Sequence, residues 1–442
     1  MRHDFRLFWL GQTSSVFGSL FTTTAIALVA VRFLGATPAQ TGLLVAAASA
    51  TPLLFGMPIG ALADRLDRPR RVLIGCDLVG MACVGLLAAG LWRHWASVWW
   101  LIALNVVLGG ITLIVQTVYF LHLRGIVAKD ELVVARAQLQ TGEFGAGVLG
   151  RAVVGPVIAA AGGAVAFAID AASYLVSAIS LIGLRTPEQR RPAGGPVQPR
   201  AGGMLAGVRA VAGHAFLRSV AGFLAVQGLA AGAVSALTAQ FLIRVLKLPT
   251  AVYGLPFLFV GVCGMAGSLV AARLAKRGTG IRTMTAGGFI ASALAAALLP
   301  LARGPVALAV VLSGLGIALP IFFGAIANVG MTSVLTTEVP ENVLGRAVAG
   351  MQTLMTLVSL AGAVGGGVLG GALGVHPALW VATAVSVAGL PLAVPMVRAS
   401  RSAPQPAGPR PAPEPAGPRP EPAGSPSEPA GSQPQEPVEA EL

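Results

Sequence analysis

The feature that most constrains this chain is the repetition of long apolar runs. Up to about Val397 it is a succession of stretches, each about 20 residues or longer, the length that spans a bilayer's hydrocarbon core. Twelve can be drawn, roughly at 7–31, 39–63, 72–92, 97–121, 138–162, 164–184, 217–241, 250–272, 283–302, 305–331, 347–372 and 376–397. Backbone polar groups in hydrocarbon must be satisfied within the segment, so each run is predicted to be a helix. The expected fold is an all-α integral membrane bundle of twelve helices. The second six runs echo the first six, the arrangement of a carrier with two related halves.

Composition points the same way. Apolar residues make up 55% of the chain and charged residues 11%, against about 25% charged in a typical soluble domain. A soluble protein of 442 residues would need far more charge to cover its surface. Small residues let transmembrane helices approach closely, and 57 glycines supply them.

A formal charge of +13 invites a nucleic-acid reading, but the basic residues have a topological pattern. With the N-terminus placed in the cytoplasm, 21 Lys or Arg lie in cytoplasmic segments up to Arg401, among them Arg65, Arg68, Arg70, Arg71, Arg200 and Arg401 itself. Five lie opposite: Arg32, Arg93, Arg244, Lys247 and Arg303. This imbalance follows the positive-inside rule and places both termini in the cytoplasm. No nucleic-acid partner is needed to explain it.

The first span starts almost at once and runs about 25 residues, longer than the apolar region of a secretory signal, so it is expected to be retained. Cys76, Cys83 and Cys263 fall at or within predicted helices without metal-ligand spacing, and are read as packing residues. The expected organisation is a six-helix half at 1–184, a Pro-, Gly- and Arg-rich cytoplasmic linker at 185–213, a second half at 214–398, and a low-complexity Pro/Ala/Gly tail at 399–442.

The internal repeat is visible in residues. Val133 to Ala137 reads Val-Val-Ala-Arg-Ala, and 210 positions later Val343 to Ala347 reads Val-Leu-Gly-Arg-Ala. Glu131 precedes Arg136 by five, as Glu341 precedes Arg346, and Ala63-Asp-Arg-Leu66 is echoed by Ala271-Ala-Arg-Leu274. A register near 210 sets equivalent cytoplasmic turns at equivalent points of two halves.

The run Gly60-Ala-Leu-Ala-Asp-Arg-Leu-Asp-Arg-Pro-Arg-Arg71 lies between the second and third spans. It resembles the loop signature of the major facilitator superfamily: a Gly, Asp-Arg four residues on, then a basic cluster. Gly60 suits close helix approach, Asp64 suits a neighbouring helix N-terminus, and the arginines hold the loop in the cytoplasm. The resemblance implies that Asp64, with Arg65, Arg68 and Arg71, latches the inward gate. Asp67 and Pro69 depart from the general form, but the Ala-Asp-Arg-x-Asp-Arg variant is similar to that of macrolide and siderophore exporters. The opening Phe5-Arg-Leu-Phe-Trp-Leu-Gly-Gln12 and the sixth span, Ala168-Ile-Asp-Ala-Ala-Ser-Tyr, resemble the same branch. Gly147-Val-Leu-Gly-Arg-Ala-Val-Val-Gly-Pro156 is similar to the Gly-Pro signature of drug antiporters. Gly147, Gly150 and Gly155 permit close contact there, and Pro156 can bend the helix.

Ionisable groups within spans are costly and mark wet interiors. Glu143 and Arg151 lie eight residues apart on nearly one face of the fifth span, so Arg151 has Glu143 or Asp170 as possible partners. Asp170, near the outer start of its span, and Asp77, near the inner start of its own, are expected at the interface. These four are the candidate coupling residues. Gln12, Asn105, Gln116, Tyr119, Gln227, Gln240, Asn328 and Gln352 are candidate cavity residues, some of them serving only as interhelical hydrogen bonds. The fourth span lacks the arginine of many proton-coupled relatives, and the first has Gly18-Ser19 where some carry an acid. Coupling is therefore implied by the resemblance, with Glu143 as the leading carrier.

No Gly-Lys-Ser/Thr phosphate loop, His-Glu-x-x-His or nucleophile elbow is present, so neither an enzyme nor a nucleotide-driven pump is expected. The expected function is export of a small hydrophobic or amphipathic compound, a drug or secondary metabolite, by proton antiport across a bacterial plasma membrane. The expected partners are lipid, substrate and protons, with no cofactor or metal, and the expected state is a monomer. A siderophore exporter or importer of the same fold is the nearer rival. A non-transporting scaffold or sensor, supported only by the tail, is the rival of another class.

Overall fold

The computed structural model describes residues 3–64, 68–126, 132–184, 215–338, 341–393 and 395. The expected linker and tail lie outside the described residues, as do Arg65 and the side chains of Gly60 and Asp64. Among the described residues the secondary structure is helical. The helices are α1 (His3–Arg32), α2 (Pro38–Asp64), α3 (Pro69–Trp92), α4 (Val98–Ile126), α5 and α6 within Leu132–Ile182, α7 (Ala215–Gln240), α8 (Leu258–Lys276), α9 (Ile281–Ala295), α10 (Val306–Glu338), α11 (Glu341–Leu373) and α12 (Val375–Ala388).

Eleven stretches of the described residues are long and apolar enough to cross a membrane, and one of them, Gln138–Ile182, has 45 residues. That is about twice what a span needs. It is two helices, because Gly162 (φ 83, ψ 169) is non-helical. The expected break between the fifth and sixth spans falls there, and the bundle has twelve helices. Gly374, between α11 and α12, has φ 90 and ψ 157. This backbone region is open essentially to glycine alone. The two glycines are 212 positions apart, and so are the starts of α3 at Pro69 and α9 at Ile281. The repeat read from short motifs is therefore a repeat of chain reversals.

Two expected spans are shorter as helices. The stretch predicted from 250 opens with 3-10 turns at Thr250–Val252 and Leu255–Phe257 before α8 begins at Leu258. Pro249, Gly254 and Pro256 punctuate it. The last helix stops at Ala388, ahead of Gly389 and Pro391.

Within each half, α1 lies along the α5–α6 pair and α7 along α11, while α8 and α9 flank α10. The halves meet where α2 packs against α11 and α7. Gly42 there faces the backbone of Ala363 and Gly367, and Gly367 faces Pro38 and Ala39 in turn. Absent side chains bring the backbones together. We call the end holding His3 the near end and the end holding Arg32 the far end. The largest apolar core joins the halves toward the far end, with Val31, Ala36, Phe241, Leu242, Tyr253, Leu299 and Leu379 buried in it. Trp92, Trp95 and Trp99 stand exposed at the far ends of α3 and α4, as amphipathic rings do at a membrane interface.

Candidate functional site

A cavity of about 880 Å³ lies between the two halves, lined by residues from both. Its wall is mostly apolar surface, with neutral polar side chains set in it from both halves, among them Thr22, Asn105, Thr112 and Gln116 from the first and Gln227, Ser292 and Ser386 from the second. Several of these polar groups are already engaged. Asn105 Nδ2 donates to the Leu44 carbonyl (3.1 Å), and Ser292 Oγ to the Pro320 carbonyl of α10 (2.8 Å). Gln227 and Ser386 bond reciprocally: Gln227 Nε2 donates to the Ser386 carbonyl (2.9 Å) and Ser386 Oγ to Gln227 Oε1 (2.7 Å).

A second cavity, about 490 Å³, is lined only by first-half residues, including Gln12, Tyr119, Gln140 and Glu143. It shares Ser19, Thr112, Gln116 and Tyr174 with the first, so the two adjoin toward the near end. The far end is closed. Gln240 Nε2 (2.7 Å) and Arg244 Nη2 (2.8 Å) from α7 and its extension both donate to the Ala36 carbonyl after α1. Gly155 on α5 faces the carbonyls of Thr250 and Ala251, and Gly254 faces the carbonyl of Arg151.

The structure divides the expected cavity residues. Asn105, Gln116 and Gln227 line the central cavity, while Gln12, Gln116 and Tyr119 line the second. Gln240, Asn328 and Gln352 line neither. Gln240 is fully buried in the far-end closure, and Asn328 accepts a hydrogen bond from Thr332 on its own helix. The glycine motif on α5 serves three contacts. Gly147 faces Leu20 and Gly150 faces the Phe17 carbonyl, both on α1, whereas Gly155 seats the second half. Pro156 is exposed and the helix runs on through it.

The acids depart most from expectation. Asp77 and Asp170 were expected at the membrane interface, yet both are buried in the protein, at 3% and 0% exposure. Asp170 Oδ1 accepts from Ser173 Oγ at 2.9 Å, while its Oδ2 has no hydrogen-bond partner, and neither has Asp77 Oδ2. Asp170 packs on α1, where a Cβ at Gly18 would collide with its carboxylate and with Ser173. Asp77 on α3 faces Ser177 of α6. Tyr174, one turn from Asp170, lays its ring against Gly80 of α3 and reaches both cavities. Where the first span has Gly18, the acid beside it comes from α6.

Glu143 and Arg151 are not joined. Glu143 lines the second cavity and Arg151 the first, and the ion pair seen among the described residues is His3–Asp4. Eight residues on a helix share a face but lie about 12 Å apart along the axis, too far for direct pairing.

A family model for transmembrane secretion effectors matches residues 1–414. The chain belongs to that family. It is a membrane transporter of the major facilitator fold. No curated protein sequence matches it. Among solved structures it is similar to the nucleoside transporter NupG, with a TM-score of 0.70 at 14% identity over 90% of this chain and 100% of that one. A bacterial homologue of the iron transporter ferroportin in an inward-facing state gives 0.67 at 13% identity, over 90% and 98%. A bacterial homologue of the lysosomal transporter Spinster gives 0.60 at 15%, over 91% and 96%. These likenesses concern the fold.

In this secretion-effector chain the gate run is only partly described. Arg68 caps α3 without a side-chain hydrogen bond and Arg71 is exposed. Arg70 Nη2 donates to the Ile182 carbonyl at 2.6 Å, tying the start of α3 to the end of α6. Sequence reading passed over Arg70, and also Ser173, Tyr174 and Ser177. The three on α6 carry a signal in the sequence: with Asp170 they follow the i, i+3, i+4, i+7 spacing of one helical face.

Proposed function

We propose that this transporter exports a small hydrophobic or amphipathic compound, such as a drug or secondary metabolite, across a bacterial plasma membrane by proton antiport. The central cavity carries this reading. At about 880 Å³ it lies within the range of small-molecule sites, and its apolar wall with a few polar groups suits an amphipathic guest. The far-end closure and the second cavity toward the near end support loading from the N-terminal side. The basic-residue bias makes that side the cytoplasm.

Coupling uses the acids of the first half. Glu143 exchanges its proton through the second cavity, and Asp170 and Asp77 are the buried alternatives. A carboxylate held away from water and from any cation is costly, and a bound proton removes the charge. The Gly60–Arg71 run latches the gate through Asp64. Transport assays in proteoliposomes test the whole. An imposed proton gradient should drive accumulation of a hydrophobic fluorescent substrate, and collapsing the gradient should stop it. Gradient-independent or absent movement by well-folded protein would overturn the antiport reading.

The orientation has its own test. Reporters fused after Arg71, Arg200 or Arg401 should be cytoplasmic, and those near Arg93 or Arg303 external. The reverse pattern would overturn the span assignment.

A further inference from the structure

We infer that the central cavity is built to hold an anionic amphipath, with Arg151 as the group that receives its negative charge. This deepens the export reading and rests on it for the physiological role. The binding site itself can be tested without transport.

Among the described residues that line the central cavity, Arg151 is the only one with a formal charge at neutral pH, and none of them is Asp or Glu. The acids of the first half are placed elsewhere: Glu143 borders the second cavity, and Asp77 and Asp170 are buried between helices. The Arg151 side chain is half-buried and makes no hydrogen bond or ion pair among the described residues. An unpaired guanidinium within a membrane bundle is expensive, and where one persists it normally faces a wet cavity and a charged partner. Here the cavity is present, and no described residue of its wall supplies a counter-charge.

The chemistry of the site selects its guest. A guanidinium offers a planar fork of donors that matches a carboxylate or another oxyanion in two parallel bonds. The surrounding wall is largely apolar and weakly polarisable, which strengthens such a bond relative to water. A compound with one anionic group on an apolar body satisfies both parts of the site. A cationic amphipath meets an arginine and finds no acid, so the lining disfavours it.

Arg151 also stands at a mechanically sensitive place. Its backbone carbonyl faces Gly254 in the segment before α8, within the contact that closes the far end between the halves. Tyr253, the neighbour of that glycine, lines the same cavity. An anion held by Arg151 therefore sits against the seam that must part if the guest is to leave by the far end.

Binding of matched probes to the full-length protein in phosphatidylcholine nanodiscs, measured by calorimetry, tests the inference. The probes are deoxycholate, its uncharged methyl ester and the cation tetraphenylphosphonium. Deoxycholate should bind about tenfold or more tightly than the ester, as a charge-assisted bidentate contact requires, and tetraphenylphosphonium most weakly. Arg151→Gln should erase the difference between acid and ester while leaving ester binding unchanged, which also reports that the variant is folded. Arg151→Lys should retain part of the preference. Equal affinities for acid and ester in the unaltered protein, absent deoxycholate binding, tightest binding of the cation, or a preference that survives Arg151→Gln would each overturn the proposal. The arm on the unaltered protein is decisive even if a variant does not purify. Failure of proton-driven transport with the acid preference intact would count against the antiport reading and leave this one standing.

Discussion

The two halves share a chain path but not a chemistry. At the 212-residue register set by Gly162 and Gly374, Asp170 on α6 corresponds to Ala382 on α12, and Asp77 on α3 to Phe289 on α9. In the first half the seam between α1 and its partner holds a buried carboxylate against Gly18. In the second, the corresponding seam between α7 and α12 is closed by the neutral Gln227–Ser386 pair. The ring of Phe289 packs with Phe223 at 5.6 Å in an apolar cluster where the first half buries Asp77. At these positions the scaffold holds carboxylates in the first half and non-titratable groups in the second. On the proposed antiport, the acids of the first half are where a proton biases the cycle, since a conformational change needs a differential interaction to drive it.

The comparison can be broken at its acids, where the largest effects are expected. Asp170→Asn and Glu143→Gln should each abolish gradient-driven export while leaving substrate binding or passive exchange measurable. Phe289→Leu, at the position equivalent to Asp77, should leave coupling intact. Coupling that survives both of these variants and Asp77→Asn as well would move the proton site out of the first half.

Gly18→Val tests the carboxylate's setting, since the added carbons meet Asp170 and Ser173. Overpacking of this kind costs about 1–3 kcal/mol, and thermal unfolding in detergent should show the loss. An unchanged melting temperature would mean that α1 and α6 separate freely.

In the second half, Ser386→Ala removes one arm of the reciprocal pair with Gln227. The expected loss is about 0.6 kcal/mol, typical of hydrogen bonds between membrane helices, with coupling unaffected. A coupling defect there would make the neutral seam part of the proton machinery.

An effect of similar size is expected at the far-end closure. Gln240→Leu leaves the Ala36 carbonyl to Arg244 alone. A net hydrogen bond of about 1 kcal/mol should shift the open and closed populations by about fivefold, read from labelling of a cysteine placed in the cavity. No change in labelling would show that apolar packing alone holds that end.

The span count, the order of the helices and the break near residue 163 were legible because a bilayer imposes segment length directly on composition. The glycine that makes the break was not singled out, since its neighbours are glycine and alanine and only the backbone conformation marks it. The α5 glycine motif was readable as a contact surface, but not which helix each glycine would meet. Arg70 was one basic residue among four in its loop, and nothing local separated the one that reaches Ile182.

What the sequence by itself determined is a twelve-helix membrane bundle with two related halves and a short roster of polar groups inside it. Hydrophobic length and charge asymmetry act locally along the chain, so they can be read along it. Tertiary structure alone decided which of those polar groups meet. Glu143 and Arg151 share a helical face but stand at different depths and border different cavities. Asp170 looked like an interface residue by its place in the span, yet lies buried because Gly18, more than 150 positions earlier, leaves room for it. Depth and partnership depend on how helices pack across the bundle, and a periodic apolar run carries little record of its neighbour.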